Sequence, residues 1–355
     1  MRVAVGSVCV VAATTVTSFG VAGRGLGRMF LEGRLPPPGA AKAPLPTRPE
    51  EARQKKLMSR SAWLCAVAMR EALSQASWVD GREEIGAFYG VGASGAEMDE
   101  VGRLIESSLV DGRFSLARCG AEGLNAVSPL FAFQIMNNFT LCHGAILEGL
   151  GGPNAAFFSR GVGTVTALEE ACFAITSAQC ERALVGGADT AMHPVTLAEL
   201  EREGFLRAGL LPTEGAATLA LTGTSTDPIG HVLYVSVEPA ARHKTSLFPR
   251  TSVLRDVALI AAVDALEEQS CDVLVLAPWG LPAREALADL SQALDAELHV
   301  DASLLFGEAL AASPALAWAL ALDLMAETNA KRALVISVGP DGDVGVVLFG
   351  RGGAL

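Results

Sequence analysis

Residues 145–193, AILEGLGGPNAAFFSRGVGTVTALEEACFAITSAQCERALVGGADTAMH, constrain the architecture more than any other stretch of this chain. Gly152-Pro153-Asn154 reads as a tight turn, because proline presets its own φ and glycine admits backbone angles other residues avoid. The small residues of 155–159 then read as an extended segment. Residues 165–179 carry helical periodicity, and 183–185 form a second strand that runs out at Gly186-Gly187-Ala188-Asp189. A strand, a helix and another strand at this spacing make a right-handed crossover in a parallel sheet.

The same alternation extends through the chain. One or two strands are expected over 3–19, a short helix at 26–32, a helix over 62–76 and a short strand at 84–90. Residues 124–152 read as mostly helical, and 218–221 as a strand. After a turn at 222–230 a second series begins: strands at 231–237, 272–277, 298–300, 333–338 and 344–349, with helices at 253–268, 283–294 and 308–327. This divides the chain into α/β halves at 1–222 and 223–355. Residues 35–56 hold six of the 17 prolines and end in charge, which predicts an irregular surface excursion.

Composition narrows the function classes. Half of the 355 residues are apolar but only 6% are aromatic, and glycine alone accounts for 37. Small residues of this kind let helices lie close against a sheet. The seven cysteines are scattered, without a CxxC pair or Cys/His ligand spacing, so buried thiols in a reducing cytoplasm are expected and no metal site or cofactor. A net charge of −12 argues against nucleic acid or an anionic membrane as partner. The apolar N-terminal run is interrupted by Gly6, Ser7, Thr14, Thr15, Thr17 and Ser18 and reads as a buried strand in preference to a secretion signal. The apolar run 309–325 contains Pro314, Trp318 and Asp323 and reads as a core helix, not a membrane span.

Five landmarks in order resemble the β-ketoacyl synthases of the thiolase superfamily: the opening strand of 2–20, Leu31-Glu32-Gly33-Arg34, the 128–154 region with Asn138 and His143, the Gly186-Gly187-Ala188-Asp189 strand end, and Glu214-Gly215-Ala216. The resemblance implies two repeated α/β halves stacked as α-β-α-β-α layers. It also locates the chemistry, and there the chain departs from the family. Nine residues beyond Gly152, where the family carries its acyl-accepting cysteine, stands Gly161. Trp279, in Leu276-Ala277-Pro278-Trp279-Gly280, takes the place of the histidine of His-Gly-Thr. In Ser303-Leu304-Leu305-Phe306-Gly307-Glu308, Ser303 replaces a lysine and Glu308 the second histidine. The family's glycine-rich loop near the C-terminus reads Gly339-Pro340-Asp341-Gly342, and a polar stretch of the family between Gly209 and Glu214 is missing.

Condensation needs a thiolate, two imidazoles and an oxyanion hole. Gly161, Trp279 and Glu308 supply neither nucleophile nor imidazole. Cys172 and Cys180 fall within or beyond the following helix, and the surroundings of Cys172 suggest core packing. Ser159 reads as a cap or strand-end hydroxyl, His143 as a structural histidine and His193 as a turn residue. The pattern is similar to the chain length factors, ketosynthase-like subunits of type II polyketide synthases. That resemblance implies a catalytically silent cytoplasmic subunit. It would pair with an active ketosynthase as a heterodimer, meet acyl carrier protein indirectly, and shape the acyl tunnel. Phe131, Phe133, Ile135, Met136, Asn138 and Phe139 are then the tunnel or interface candidates. Two alternatives stand beside it: a thiolase-fold hydrolase or acyltransferase using Glu308 as base, and a carrier-binding scaffold, for which Arg242, His243 and Lys244 are the most compact basic group of the second half.

Overall fold

The computed structural model describes residues 3–34, 37–93, 95–158, 160–239, 250–267, 269–339 and 342–351. Ser159, Pro340, Asp341 and the 242–244 group lie outside the described residues. Strands β1 (Val3–Thr17), β2 (Gly20–Ala22), β3 (Gly86–Val91), β4 (Leu109–Val110), β5 (Arg113–Phe114), β6 (Asn154–Phe157), β7 (Arg182–Thr190) and β8 (Glu214–Thr222) belong to the first half. Strands β9 (Gly230–Glu238), β10 (Val273–Ala277), β11 (Leu298–Asp301), β12 (Arg332–Val338) and β13 (Val344–Gly350) belong to the second.

The two halves repeat one topology. The first runs β1-β8-β7-β3-β6 and the second β9-β13-β12-β10-β11. In each, the first two pairings are antiparallel and the last two parallel. Antiparallel pairing of β1 with β9, with Cys9 opposite His231, joins the halves.

Helices complete five layers. The Gly163–Thr176 helix packs on β3, β7, β1 and β9, and the Ser313–Thr328 helix on β10, β12, β8 and β1, so both lie between the two strand sets. Their composition explains the position. Alanines 315, 317, 319 and 321, together with Leu316, Leu320 and Trp318, are buried right round the second helix, a pattern that only a helix enclosed on all sides can satisfy. It coincides with the one stretch among the described residues long and apolar enough to cross a membrane, Leu310–Thr328. Outside the first strand set, the Arg60–Gln75 helix, N-capped by the Ser59 hydroxyl, packs with Phe139–Glu148. Outside the second, Thr251–Leu266 packs with Gly280–Leu287.

Several local expectations change. The Pro-rich excursion contains a helix, Pro49–Lys55, whose Glu51 is fully buried between Arg48 and Arg70. The mostly helical 124–152 is broken into short turns before Phe139–Glu148. The 308–327 helix starts only at Ser313, because Gly307 and Leu310 take positive φ values of 70° and 49°. Elements not foreseen are the amphipathic Met98–Ser107 helix, the β4–β5 hairpin and the Pro194–Arg202 helix.

Candidate functional site around Gly161, Trp279 and Glu308

Gly161 occupies the turn between β6 and the Gly163–Thr176 helix, at φ +88°, where an L side chain is strained. A Cβ there would also stand 3.0 Å from the Cα of Gly339, the residue following β12. Two backbones therefore meet at this position.

Beside it, Arg160 swings across the site. Its guanidinium bonds Glu203 at 2.5 Å and lies 5.7 Å from the ring centroids of both Phe205 and Trp279. Those two rings stack at 5.1 Å and 22°. Trp279 caps the strand end of β10, where the Gly280–Leu287 helix begins, and is 5% exposed. Its buried indole N–H has no acceptor among the described residues. The position is therefore an aromatic wall with a cation stacked on it.

Glu308 is completely buried, and both its oxygens are taken. Oε1 accepts from the Gly280 N–H and the Arg284 guanidinium, each at 3.0 Å, and Oε2 from the Leu211 N–H at 3.0 Å. Its own backbone N–H donates to the Leu211 carbonyl at 2.6 Å, beside a bridge between Pro212 and Glu308. Arg284 in turn holds Asp301 and Ser303. Burial pushes the Glu308 carboxyl up to about 7, against the opposing pull of those N–H donors and Arg284. The Glu308 carboxylate and backbone, with the Thr213 hydroxyl donating to the Phe306 carbonyl at 2.9 Å, fasten the loop before β8.

Asp189, at the end of β7, is likewise buried, accepting from the Thr190 N–H at 2.7 Å and the Ala311 N–H at 3.2 Å. Desolvation raises it to about 7, although both N–H donors pull it down. Gly92 makes room for it: a Cβ there would stand 1.7 Å from its carboxylate. Together Phe158, Arg160, Asp189, Glu199, Trp279 and Leu310 bound much of a cavity of about 380 Å³. The sequence motifs brought positions 161, 279 and 308 into view. Arg160, Glu199, Glu203 and Phe205 escaped notice, because their roles depend on where the Pro194–Arg202 helix and its following turn land.

The tunnel candidates lie elsewhere, and none of the six lines this cavity. Phe131 is buried in a small cluster with Ala96 and Val127. Phe133 and Phe139 meet edge-on at 4.7 Å and flank His143, whose buried imidazole is held below its ordinary pKa by desolvation. Ile135 and Met136 are 43% and 47% exposed, and Asn138 is exposed at the start of the Phe139–Glu148 helix. Cys172 is buried in the central helix, where desolvation raises its thiol pKa. His193 caps the Pro194–Arg202 helix through Nδ1 and bonds the Ala96 carbonyl through Nε2 at 2.9 Å.

Comparison with known proteins gives the class. The family model of the β-ketoacyl synthase N-terminal domain matches residues 47–232, more than half of the chain. The chain belongs to the β-ketoacyl synthase family. No curated protein sequence matches it. Solved structures share its fold at low identity. The complex of a type II polyketide synthase acyl-carrier protein with its ketosynthase bound to the hexaketide contains a chain 16% identical, with TM-score 0.72 and 99% of both chains covered. The ishigamide ketosynthase/chain length factor gives 20% identity and TM-score 0.71, over 97% of this chain and 99% of that one. A β-ketoacyl synthase from Burkholderia phymatum STM815 gives 17% and 0.74, over 98% and 100%.

Proposed function

We propose that this chain is a catalytically silent ketosynthase-like subunit that pairs with an active β-ketoacyl synthase in type II polyketide or related acyl-chain assembly. The observation that carries the reading is the state of the three lost positions. A strained glycine, a stacked tryptophan and a hydrogen-bonded carboxylate stand where a thiolate and two imidazoles would be required. Each is committed to holding the fold, so losing the chemistry has not left an open catalytic frame. Glu308 makes a poor general base, because its oxygens already face three N–H-bearing groups.

Pairing is supported by the edge of the first half. Strand β6 is the outermost strand, pairing with β3 alone, and is only partly buried. Unpaired strand edges and exposed apolar side chains favour a partner; nearby in sequence, Leu130, Ile135, Met136, Ile146 and Phe158 are all more than 40% exposed. The structural neighbours named for a ketosynthase/chain length factor and for a carrier protein with its ketosynthase make an active ketosynthase the favoured direct partner, with carrier protein met through it. We assign 1–222 and 223–355 as the two units, the site lying between them, and the cytoplasm as the place of action.

The test is intact-mass analysis of the purified protein after exposure to acyl-carrier substrates and a cysteine-directed trap such as cerulenin. No stoichiometric acyl adduct is expected on this chain, while a co-expressed ketosynthase partner acylates and co-elutes with it. An adduct here, or failure to co-elute with any ketosynthase encoded beside it, overturns the reading.

A further inference from the structure

We propose that residues 204–212, between the Pro194–Arg202 helix and β8, form a lid over Trp279 and Glu308, hinged at Gly204 and Gly209 and latched by the Glu308 carboxyl group.

The backbone supplies the hinges. Gly204 and Gly209 take positive φ values of 84° and 76°, and residues that tolerate such angles readily absorb the rotations of a hinge. Beneath the segment lies a small apolar cluster separate from the large cores: Ala191, Leu200, Phe205, Leu210, Trp279 and Leu310. Phe205 and Leu210 are the lid's own buried members, whereas Arg207 and Leu211 are exposed. A segment with one exposed side and few apolar anchors opens locally at lower cost than the whole fold. Opening would also move Phe205 off Trp279, whose buried indole N–H lacks an acceptor among the described residues.

Glu308 is the latch. Its Oε2 accepts the Leu211 N–H at 3.0 Å, and its own N–H donates to the Leu211 carbonyl at 2.6 Å. The Leu281 N–H, donating to the Ala208 carbonyl at 2.8 Å, adds a tie to the neighbouring helix. The charged groups acting on Glu308 are Arg284 and Asp301, and that one guanidinium bonds both carboxyl groups. An ionised Glu308 therefore leaves two carboxylates sharing one cation in a space closed to water, and burial raises it to about 7. With the lid open, water would return Glu308 to the ordinary carboxylate range. The closed lid then binds the extra proton between about pH 4 and 7. Opening becomes more favourable as pH rises through that window, by about tenfold per pH unit at most, and levels off above it.

Hydrogen exchange of the full chain, read by mass spectrometry from pH 5 to 8 and corrected for intrinsic rates, tests the lid. Protection of the 205–211 amides should fall at least tenfold between pH 5 and 7, while the Ser313–Thr328 helix stays unchanged. Glu308→Gln keeps an acceptor and loses the ionisation, so its lid should hold the low-pH protection throughout. Gly204→Ala strains the closed hinge and should raise lid exchange at every pH while keeping the wild-type slope. A flat lid profile in the wild type, a slope shared with the Ser313–Thr328 helix, or a slope that survives in Glu308→Gln would overturn the proposal. So would a Gly204→Ala lid that exchanges no faster than wild type. If Glu308→Gln does not fold, the wild-type profile and Gly204→Ala decide the matter. None of these outcomes depends on acylation, so the lid and the silent-subunit reading fail separately.

Discussion

The two halves follow one strand order, yet they are covered in opposite ways. Outside the second strand set, the Thr251–Leu266 and Gly280–Leu287 helices close an apolar cluster of alanine, leucine and valine. Outside the first, the apolar cluster is edged by an ion-pair network: buried Glu51 and Glu148 receive Arg48, Arg70 and, for Glu148, Arg82. The first half also carries the excursion with its helix at Pro49–Lys55 and the Met98–Ser107 helix with its hairpin. There Ile105, Phe114, Leu116 and Leu124 stay exposed. Nonpolar packing is tolerant of small shifts, whereas a network of three guanidiniums on two carboxylates holds a particular geometry. The difference suggests that the first half is held in shape for a face it presents, and the second half simply packed.

The largest expected effect tests what the halves share. Trp318 is fully buried in the middle layer that serves both strand sets. Trp318→Ala should cost about 3–5 kcal/mol, the range for deleting a large core aromatic. Urea unfolding followed by fluorescence and by circular dichroism should shift in one step. Two separated transitions would show that the halves fold independently and break the comparison.

Next in size is Gly161→Cys. Positive φ at a non-glycine residue costs roughly 1–3 kcal/mol, and the contact with Gly339 adds to it. The variant should be less stable than wild type and still condense nothing, because Trp279 and Glu308 offer no imidazole. Chain extension by it, measured with malonyl- and acyl-carrier substrates, would refute the placement of the lost histidines.

Glu148→Gln sharpens the contrast directly. It removes the charge that three arginines share, and those arginines are 29–43% exposed, so water recovers part of the loss. A cost of about 1–2 kcal/mol is expected, below the value for a fully buried pair. Hydrogen exchange should rise in the Phe139–Glu148 and Arg60–Gln75 helices and not in the second half.

The acids at the site give a pH signature of their own. Glu308 and Asp189 sit near 7 in the folded protein because burial disfavours their charged forms, above their ordinary range. Between about pH 4 and 7 the folded state therefore binds more protons than the unfolded state, and stability falls as pH rises through that window. Glu51 acts in the other direction. Burial raises it, but Arg48, the Thr47 N–H and Arg70 together hold it below the usual carboxylate range. Its contribution is present above the unfolded value and is lost as pH falls through the folded one. Glu308→Gln should flatten the decline between pH 5 and 7; an unchanged slope would mean that Glu308 does not hold its proton in the folded state.

How far the sequence could be read follows the same division. The central strands and helices were legible because their apolar periodicity comes from burial on both sides, as in the Ser313–Thr328 helix. The family motifs singled out Gly161, Trp279 and Glu308 as positions to examine. What sequence could not show is what those residues do instead: the Phe205–Trp279 stack joins positions 74 apart, and Glu308 reaches the Leu211 N–H across 97. The Met98–Ser107 helix was missed because no helix was read between the 84–90 strand and residue 124. Its residues form a mostly polar amphipathic surface with none buried.

The smallest effect on stability should accompany the most specific effect on function. Met136 is 47% exposed, so Met136→Ala should change the melting temperature little, within about 0.5 kcal/mol. Phe133→Ala removes the edge-on contact with Phe139 and the approach to His143, and should cost more. If the exposed face of the first half meets a ketosynthase, both variants should alter either the yield of the co-purified complex or the length of its product, without stopping acylation of the partner's nucleophile. Met136→Ala separates the two roles most cleanly, since its fold is expected to be untouched. Normal complex and normal product from Met136→Ala, beside a destabilised Phe133→Ala, would make this segment plain packing. The functional contrast between the halves would then have to rest on β6 alone.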